Sequence, residues 1–386
     1  MAIQKINIEE FLALAQTAPV LDVRSPGEYT HAHIPGAFNL PLFSDEERKA
    51  VGTAYKQQNR ETAIKIGLDY FGTKMKGMVE EAEKIIKSCG LRVTGGGFIQ
   101  PGTSPDFSGL KNSNEPKAQP VTRNPQPVTV LVHCWRGGMR SAGVAWLLDL
   151  YGFKVYTLRG GYKTYRRWVL LQFEKEYDFT IIGGYTGSGK TLLLHALKNE
   201  GNAIIDIEAL ANHKGSALGG MGPGTQPRQE MFENLLADEL LKNEGTKTTF
   251  LEDESQRIGN LQLPMKLWYT IRKSPVYFFE IPFEERLNYL TEEYSVQEKE
   301  KLVNAVMRIQ KRLGGLETKN AINFLLEDNY KESFRILLKY YDKYYFKGLY
   351  NRENVEQLIR KLEVPQVNTE ENLRSLNKLS ALAPLQ

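Results

Sequence analysis

His133-Cys134-Trp135-Arg136-Gly137-Gly138-Met139-Arg140-Ser141 places a thiol at the head of a turn rich in glycine and arginine. A thiol is a useful nucleophile only as thiolate, which needs positive charge or backbone N–H donors close by. Both are on offer. Gly137 and Gly138 let successive amides turn inward as an anion nest, and Arg136 and Arg140 can hold an oxyanion or a persulfide-type group. A helix expected from about Ser141 points its positive end at the same spot. Cys134, Arg136 and Arg140 are therefore the candidate catalytic residues. Two chemistries share this design. One is phosphate-ester hydrolysis, because His-Cys, five residues and Arg-Ser is also the pattern of cysteine phosphatases. The other is transfer of a sulfane sulfur or selenium atom through a Cys-bound intermediate. The second cysteine, Cys89, ends KIIKSCG with no nest or arginine beside it.

A second anion cradle follows. Gly184-Tyr-Thr-Gly187-Ser-Gly189-Lys190-Thr191 fits GxxxxGK[ST] and sits between an apolar strand, FTII, and a helix, TLLLHAL, as a phosphate loop must. Backbone N–H groups wrap the phosphate, Lys190 adds a point charge, and Thr191 can coordinate Mg²⁺. TTFLEDES, a short apolar strand ending in acids, offers Asp253 or Glu254 as the acidic partner, with Asp253 and Thr191 as the expected Mg²⁺ ligands; Glu252 could serve equally.

These loops need strands and helices to hold them. A helix is expected around Ile8–Gln16 and a buried strand at PVLDVR. SPGEY reads as a helix start and HIPGAFNLP as an edge strand. Residues 44–88 read as two or three helices. From about 94 to 127 the chain turns dense in Gly, Pro, Ser and Asn, a flexible insertion. VTVLVHC, SAGVAWLLDLYGF and KVYTLRGGY then give strand, helix and strand, and residues 173–178 read as a hinge. FTII, NAIIDIEAL, TTFLEDES and PVYFFEIP are strands of a second sheet, and the chain beyond Phe283 is mostly helical and charged. Alternating strand and helix argues for parallel sheets, so the fold class is α/β.

The chain has 386 residues, long for one core, with 41% hydrophobic and 25% charged residues as in ordinary globular proteins. Its net charge of +4 is small, so any nucleic-acid surface must come from local clustering. Two cysteines cannot make a disulfide framework, which suits a reducing compartment. The opening MAIQKINIEEFLALAQ lacks the pattern of a signal peptide, and no stretch is apolar for long enough to span a membrane. A cytoplasmic protein is expected.

LDVRSPGEYTHAHIPGAFNLP together with LRGGY resembles the rhodanese family over about residues 4–170: Asp22 and Arg24 stand at its DVR, Glu28 and Tyr29 at its EY, and His33 to Ala37 at its HIPGA. The cysteine loop is one residue longer than the CRSGxRS form of small rhodaneses. With ERKAVGTAYKQQNRETAIKIG, LRGGYKTYRR, GGYTGSGKTLLL, ANHKGSALG and FLEDESQRIGN, the chain as a whole resembles the tRNA 2-selenouridine synthase family. The resemblance implies a rhodanese-like domain at 1–172, a P-loop NTPase-like α/β domain at 173–290 and a helical C-terminal region at 291–386. It also implies replacement of the 2-sulfur of wobble 2-thiouridine by selenium from selenophosphate. An S-geranyl intermediate made from geranyl diphosphate precedes that exchange, and Cys134 carries selenium as a selenylsulfide. The implied partners are tRNAs reading Lys, Glu and Gln codons and a selenophosphate-producing enzyme, with neither DNA nor membrane. The competing readings are a rhodanese-fold cysteine phosphatase, a sulfurtransferase with a regulatory nucleotide-binding domain, and a non-catalytic redox sensor. YKQQ, ANHKGS and LEDES set the first reading apart.

A polyanionic substrate draws attention to KESFRILLKYYDKYYFKG, where Lys331, Arg335, Lys339, Lys343 and Lys347 recur every four residues of one expected helix. Phe334, Leu337, Leu338 and Tyr341 would take the core face, and Tyr344, Tyr345 and Phe346 would stack on an unpaired base. A solvated face is the plain alternative.

Overall fold

The computed structural model describes residues 3–91, 127–214 and 224–382. Nearly all of the Gly- and Pro-rich insertion, and the end of ANHKGSALG, lie outside them. The chain divides into two compact units, Met1–Trp168 and Val169–Gln386.

The first unit runs β1 (Gln4–Ile6), α1 (Ile8–Ala15), β2 (Val20–Asp22), α2 (Pro26–His31), β3 (Phe38–Asn39), α3 (Asp45–Gln57), α4 (Arg60–Ser88), β4 (Thr129–His133), α5 (Met139–Tyr151), β5 (Lys154–Leu158) and the first part of α6 (Gly161–Gln172). Its sheet has the order β1-β5-β4-β2-β3, and every pairing is parallel. The helix starts are written locally: the Asn7 side chain accepts from Glu10 N at 2.8 Å and Ser44 Oγ from Glu47 N at 3.2 Å, each answered by the glutamate reaching back to the cap N–H. β4 is buried on both faces, as the inner strand of a covered parallel sheet should be, and its run TVLVH carries the chain directly into the cysteine loop.

The second unit continues through β6 (Phe179–Gly184), α7 (Lys190–Asn199), β7 (Ala203–Ile205), α8 (Ile207–Ala211), α9 (Gln229–Lys242), β8 (Thr249–Glu252), a small β9–β10 hairpin (Arg257–Ile258 and Leu261–Gln262), α10 (Met265–Lys273) and β11 (Val276–Glu280). There follow α11 (Phe283–Tyr294), α12 (Lys299–Leu313), α13 (Gly315–Leu326), α14 (Tyr330–Leu349), α15 (Val355–Leu358), β12 (Ile359–Glu363) and α16 (Thr369–Leu382). The sheet order is β12-β11-β6-β8-β7, again all parallel.

Three placements differ from the sequence reading. NAIIDIEAL is a strand only as far as Ile205; Asp206 then caps α8, accepting from Ala209 N at 2.8 Å. The two compact units divide inside α6, a few residues before the stretch 173–178 read as a hinge. The charged C-terminal region contributes β12, an edge strand whose IRKLE alternation is too polar to stand out from its helical surroundings. The helices of that region bury their own core, Leu287, Leu290, Leu302, Val306, Leu325, Phe334 and Leu338 among it, and they also shape the phosphate site.

Candidate functional site

Cys134 follows β4 directly and is only 3% exposed. Its Sγ lies 3.3 Å from Ser141 Oγ, which itself lies 3.1 Å from the Gly138 carbonyl. Burial pushes the Cys134 thiol up, but the Ser141 hydroxyl, the Arg140 charge and the backbone N–H groups of Ser141 and Arg136 outweigh it and hold the thiol below its ordinary value. LRGGY is the other wall of this turn. Gly161 has φ +63°, and a Cβ there would stand 2.3 Å from the Cys134 carbonyl oxygen and 2.4 Å from Gly137 N, so no other residue fits. Just past it, Tyr162 N donates to Cys134 O at 2.8 Å and Lys163 N to Trp135 O at 3.0 Å.

The two arginines have different surroundings. Arg140 Nη1 reaches Glu28 Oε2 at 2.8 Å, close enough to the thiol to favour its anion, while the Arg136 side chain is exposed and its backbone N–H faces the sulfur. Burial works against the Glu28 carboxylate, yet Arg140, Arg48 and the Ser25 N–H hold it at about 2. Beneath lies a fully buried pair: Arg24 Nε donates to Asp22 Oδ2 at 2.9 Å, Arg24 Nη2 donates to Ala32 O at 2.8 Å, and the guanidinium sits 3.8 Å from the centre of the Tyr162 ring. Burial also holds His133 below its usual value, with Asp22 opposing. The loop is thus an anion cradle with its supporting charges already paired. Asp22, Arg24 and Glu28 stand at motif positions legible in the sequence, whereas no spacing marks the Ser141 hydroxyl as a partner of the thiol.

The second site forms where β6 turns into α7. Gly187 and Gly189 take φ +79° and +71°, and a Cβ on Gly187 would come within 2.8 Å of Leu290 Cγ. Lys190 Nζ bonds the Gly184 carbonyl at 2.9 Å, across the loop that it would share with a phosphate. The C-terminal helices brace this loop. Arg286 of α11, 3% exposed, donates to Thr186 O at 3.0 Å and to Asp342 Oδ1 of α14 at 2.9 Å. A cavity of about 480 Å³ opens beside the loop, and its lining includes Tyr289, Tyr294, Tyr340, Tyr344 and Leu349 together with the charged Lys214, Arg272, Glu293 and Arg312.

The expectation that Asp253 takes the metal side, with Thr191, is corrected by this geometry. Asp253 Oδ1 is ion-paired with the buried Arg352, and Oδ2 accepts from the Tyr345 hydroxyl at 2.8 Å. Glu254, also named from the sequence, lies instead in a cluster with Glu208 and Glu252, one carboxylate oxygen of each within 4.8 Å of the others. The reason is the period of two along an extended chain: Glu252 and Glu254 share one side, and Asp253 goes to the other. Burial and the Glu208 charge push the Glu252 carboxyl up to about 8, against Lys190 and Thr191, and burial with the neighbouring acids raises Glu254 well above its usual range. Glu208 could not have been found from spacing, since it arrives from α8.

Tyr345 is likewise corrected. Instead of standing free to stack on a base, its hydroxyl accepts from Gly184 N at 3.2 Å while donating to Asp253, and Lys190 Nζ lies 5.7 Å from its ring centre. Tyr344 and Phe346 remain exposed. Along α14, Phe334, Leu337 and Leu338 are buried as expected and Tyr341 is half-buried. Lys331 donates to Asn288 Oδ1 at 2.7 Å, and Arg335 is held by Glu284 and Glu332. Lys339, Lys343 and Lys347 are exposed. Four-residue steps drift by about 40° each, so the stripe turns by about 160° between Lys331 and Lys347.

Among the described residues, no helix is long and apolar enough to cross a membrane. A family model described as the tRNA 2-selenouridine synthase AAA domain matches residues 177–361, and one described as a rhodanese-like domain matches residues 7–67, ending before the cysteine loop. A tRNA 2-selenouridine synthase of Nitrosomonas europaea is 34% identical over 297 residues, 75% of this chain and 67% of that relative. Those of a Sulfurovum species and of Hydrogenovibrio crunogenus are 32% and 34% identical, covering 85% and 77% of this chain and 87% and 76% of theirs. The chain, with a rhodanese-like α/β unit followed by a phosphate-loop unit, belongs to the tRNA 2-selenouridine synthase family.

Proposed function

We propose that this chain converts wobble 2-thiouridine to 2-selenouridine in two steps, one for each loop. In the first, the 2-sulfur of the base attacks C1 of geranyl diphosphate, a C–S bond forms, the C–O bond breaks and diphosphate departs. Lys190, the amides of the loop from Gly184 to Thr191 and a divalent cation such as Mg²⁺ would stabilise that leaving group. The geranyl chain would lie against the tyrosine wall. Alkylation turns sulfur from a poor leaving group into a good one. In the second step, selenium from selenophosphate enters at C2, geranylthiolate leaves and the phosphoryl group passes to water. Cys134 would serve as the nucleophile that takes the phosphoryl group: its thiolate attacks phosphorus, the P–Se bond breaks and selenide is released toward C2, and water then cleaves the S–P bond to return the thiol and phosphate, with Arg136 and Arg140 steadying the phosphoryl oxygens.

The single observation that supports the reading is the cavity lined both by the phosphate loop and by Tyr289, Tyr294, Tyr340 and Tyr344. The proposed substrates are tRNAs reading Lys, Glu and Gln codons, the selenium donor comes from a selenophosphate-producing enzyme, and the activity is placed in the cytoplasm with a reduced thiol. The domains are read as 1–172, 173–290 and 291–386, with the last supplying braces for the phosphate site and Lys339, Lys343 and Lys347 contacting tRNA backbone. The test is stepwise. Purified protein with 2-thiouridine tRNA and geranyl diphosphate alone accumulates S-geranyl-2-thiouridine, seen by nucleoside mass spectrometry, and later addition of selenophosphate converts it to 2-selenouridine. Selenouridine forming at full rate without any prenyl donor would refute the order.

A further inference from the structure

We propose that the corner between α3 and α4 is a cradle for single-stranded RNA, on which the anticodon loop lies with its wobble base toward the cysteine loop. Two contacts hold this corner beside Cys134. Arg48 of α3 shares the Glu28 carboxylate with Arg140, and Arg60, at the start of α4, reaches Sδ of Met139, the first residue of α5, at 3.9 Å. Tyr55 stands seven residues after Arg48, two turns on, and so lies within about 20° of the side from which Arg48 meets Glu28. Gly52 lies between them on that side. From Arg48 to Arg60 the chain carries four cations and no acid. The residues from Tyr55 to Arg60 are all exposed. Among the described residues, the side chains of Tyr55, Lys56, Gln57 and Gln58 meet no ring, ion-pair or hydrogen-bond partner.

Gly52 is a second and independent sign. Glycine weakens a helix interior, and a Cβ at this position would meet nothing within 4 Å, so packing inside the protein does not require it. Bare helix backbone on an open side suits the close approach of a flat group from outside. Tyr55, 56% exposed, then supplies a ring on which a base of any identity stacks. Lys56 and Arg60 answer backbone phosphates, and the amides of Gln57 and Gln58 offer donors and acceptors to base edges. Cations without acids fit a polyanion, and a free ring fits unpaired nucleotides better than a duplex, whose bases are already stacked. The cradle rests on the reading that the wobble base is brought to Cys134; it uses neither the phosphate loop nor the lysines of α14.

The test uses the full chain and two labelled RNAs, an anticodon stem-loop and a fully paired duplex of the same length, titrated by fluorescence anisotropy across a salt series. Tyr55→Ala should weaken stem-loop binding about tenfold, the scale of one lost base stack, and Tyr55→Phe should retain it. Duplex binding should be the same in both Tyr55 variants as in the parent protein. Gly52→Leu should also weaken stem-loop binding, yet leave thermal unfolding unchanged or higher, because leucine is the better helix former and its Cβ meets no neighbour there. Replacing Lys56 and Arg60 together by Ala should lower the salt slope by about 1.4, the value for two single-strand phosphate contacts. Stem-loop affinity retained in both Tyr55→Ala and Gly52→Leu would overturn the cradle and leave this face to a protein partner. If those variants lose affinity while the parent protein makes no 2-selenouridine from geranylated tRNA, the cradle stands and the two-step reading falls.

Discussion

The cysteine loop and the phosphate loop are made of the same parts: a buried parallel strand, a glycine turn and the start of a helix. Their electrostatics run in opposite directions. Around Cys134, Arg24 answers Asp22 and Arg140 answers Glu28, so acids there sit low and the thiol is held toward thiolate. Around Lys190, Asp253 has Arg352, but Glu208, Glu252 and Glu254 crowd together, and Glu252 is pushed up to about 8. A backbone cradle by itself specifies only that an anion fits. Side-chain pairing then sets the local charge: acids answered by arginines in the first unit, three acids crowded together in the second.

The largest expected effect tests the chemical half of this contrast. Cys134→Ser should cut 2-selenouridine formation by on the order of 10³-fold or more, since it replaces the nucleophile itself. The fold should stay intact, and Cys89→Ser should change nothing, because Cys89 is exposed at the end of α4. Nucleoside mass spectrometry with both variants checks this, and normal selenation by Cys134→Ser would end its role as nucleophile.

Lys190→Ala should reduce geranylation by about 10²-fold, the scale of losing one preorganised charge at a leaving group. Selenation of a tRNA supplied already geranylated should survive in large part. If both steps fall together, the two loops are not separate stations and the comparison breaks.

A pH experiment sharpens it further. Glu28 is held at about 2 against an ordinary value of 4.5, so its contribution to stability is present above 4.5 and is lost as pH falls through about 2. Acid unfolding of the parent protein should therefore steepen in that window, and Glu28→Gln should flatten it. A variant with an unchanged acid profile would mean that the Arg140 pair contributes little.

The smallest effect concerns the helix beyond both loops. Replacing Lys339 and Lys343 by Ala should weaken tRNA binding a few-fold at moderate salt and lower the salt slope by about 1.5, the value for two phosphate contacts. Cleavage of selenophosphate should be unaffected. Filter binding across a salt series reads both quantities, and an unchanged slope would assign the RNA to another surface.

Much of this molecule could be read along the chain. GGYTGSGKT between FTII and TLLLHAL, the run VTVLVHC into Cys134, and the capping residues Asn7 and Ser44 act over a few neighbouring residues, so local spacing determined where strand, turn and helix would lie. What spacing could not decide was which of several like residues faces which neighbour. Three consecutive acids, Glu252, Asp253 and Glu254, are equivalent as letters. The extended chain sends them to opposite sides, and only packing brings Glu208 from α8 to one side and Arg352, 99 residues on, to the other. Tyr345 was one aromatic among three until α14 packed beside the phosphate loop and turned its hydroxyl to Gly184 and Asp253. β12 shows the same limit: IRKLE is a strand because β11 offers it a free edge, a partner distant in sequence that no local propensity encodes.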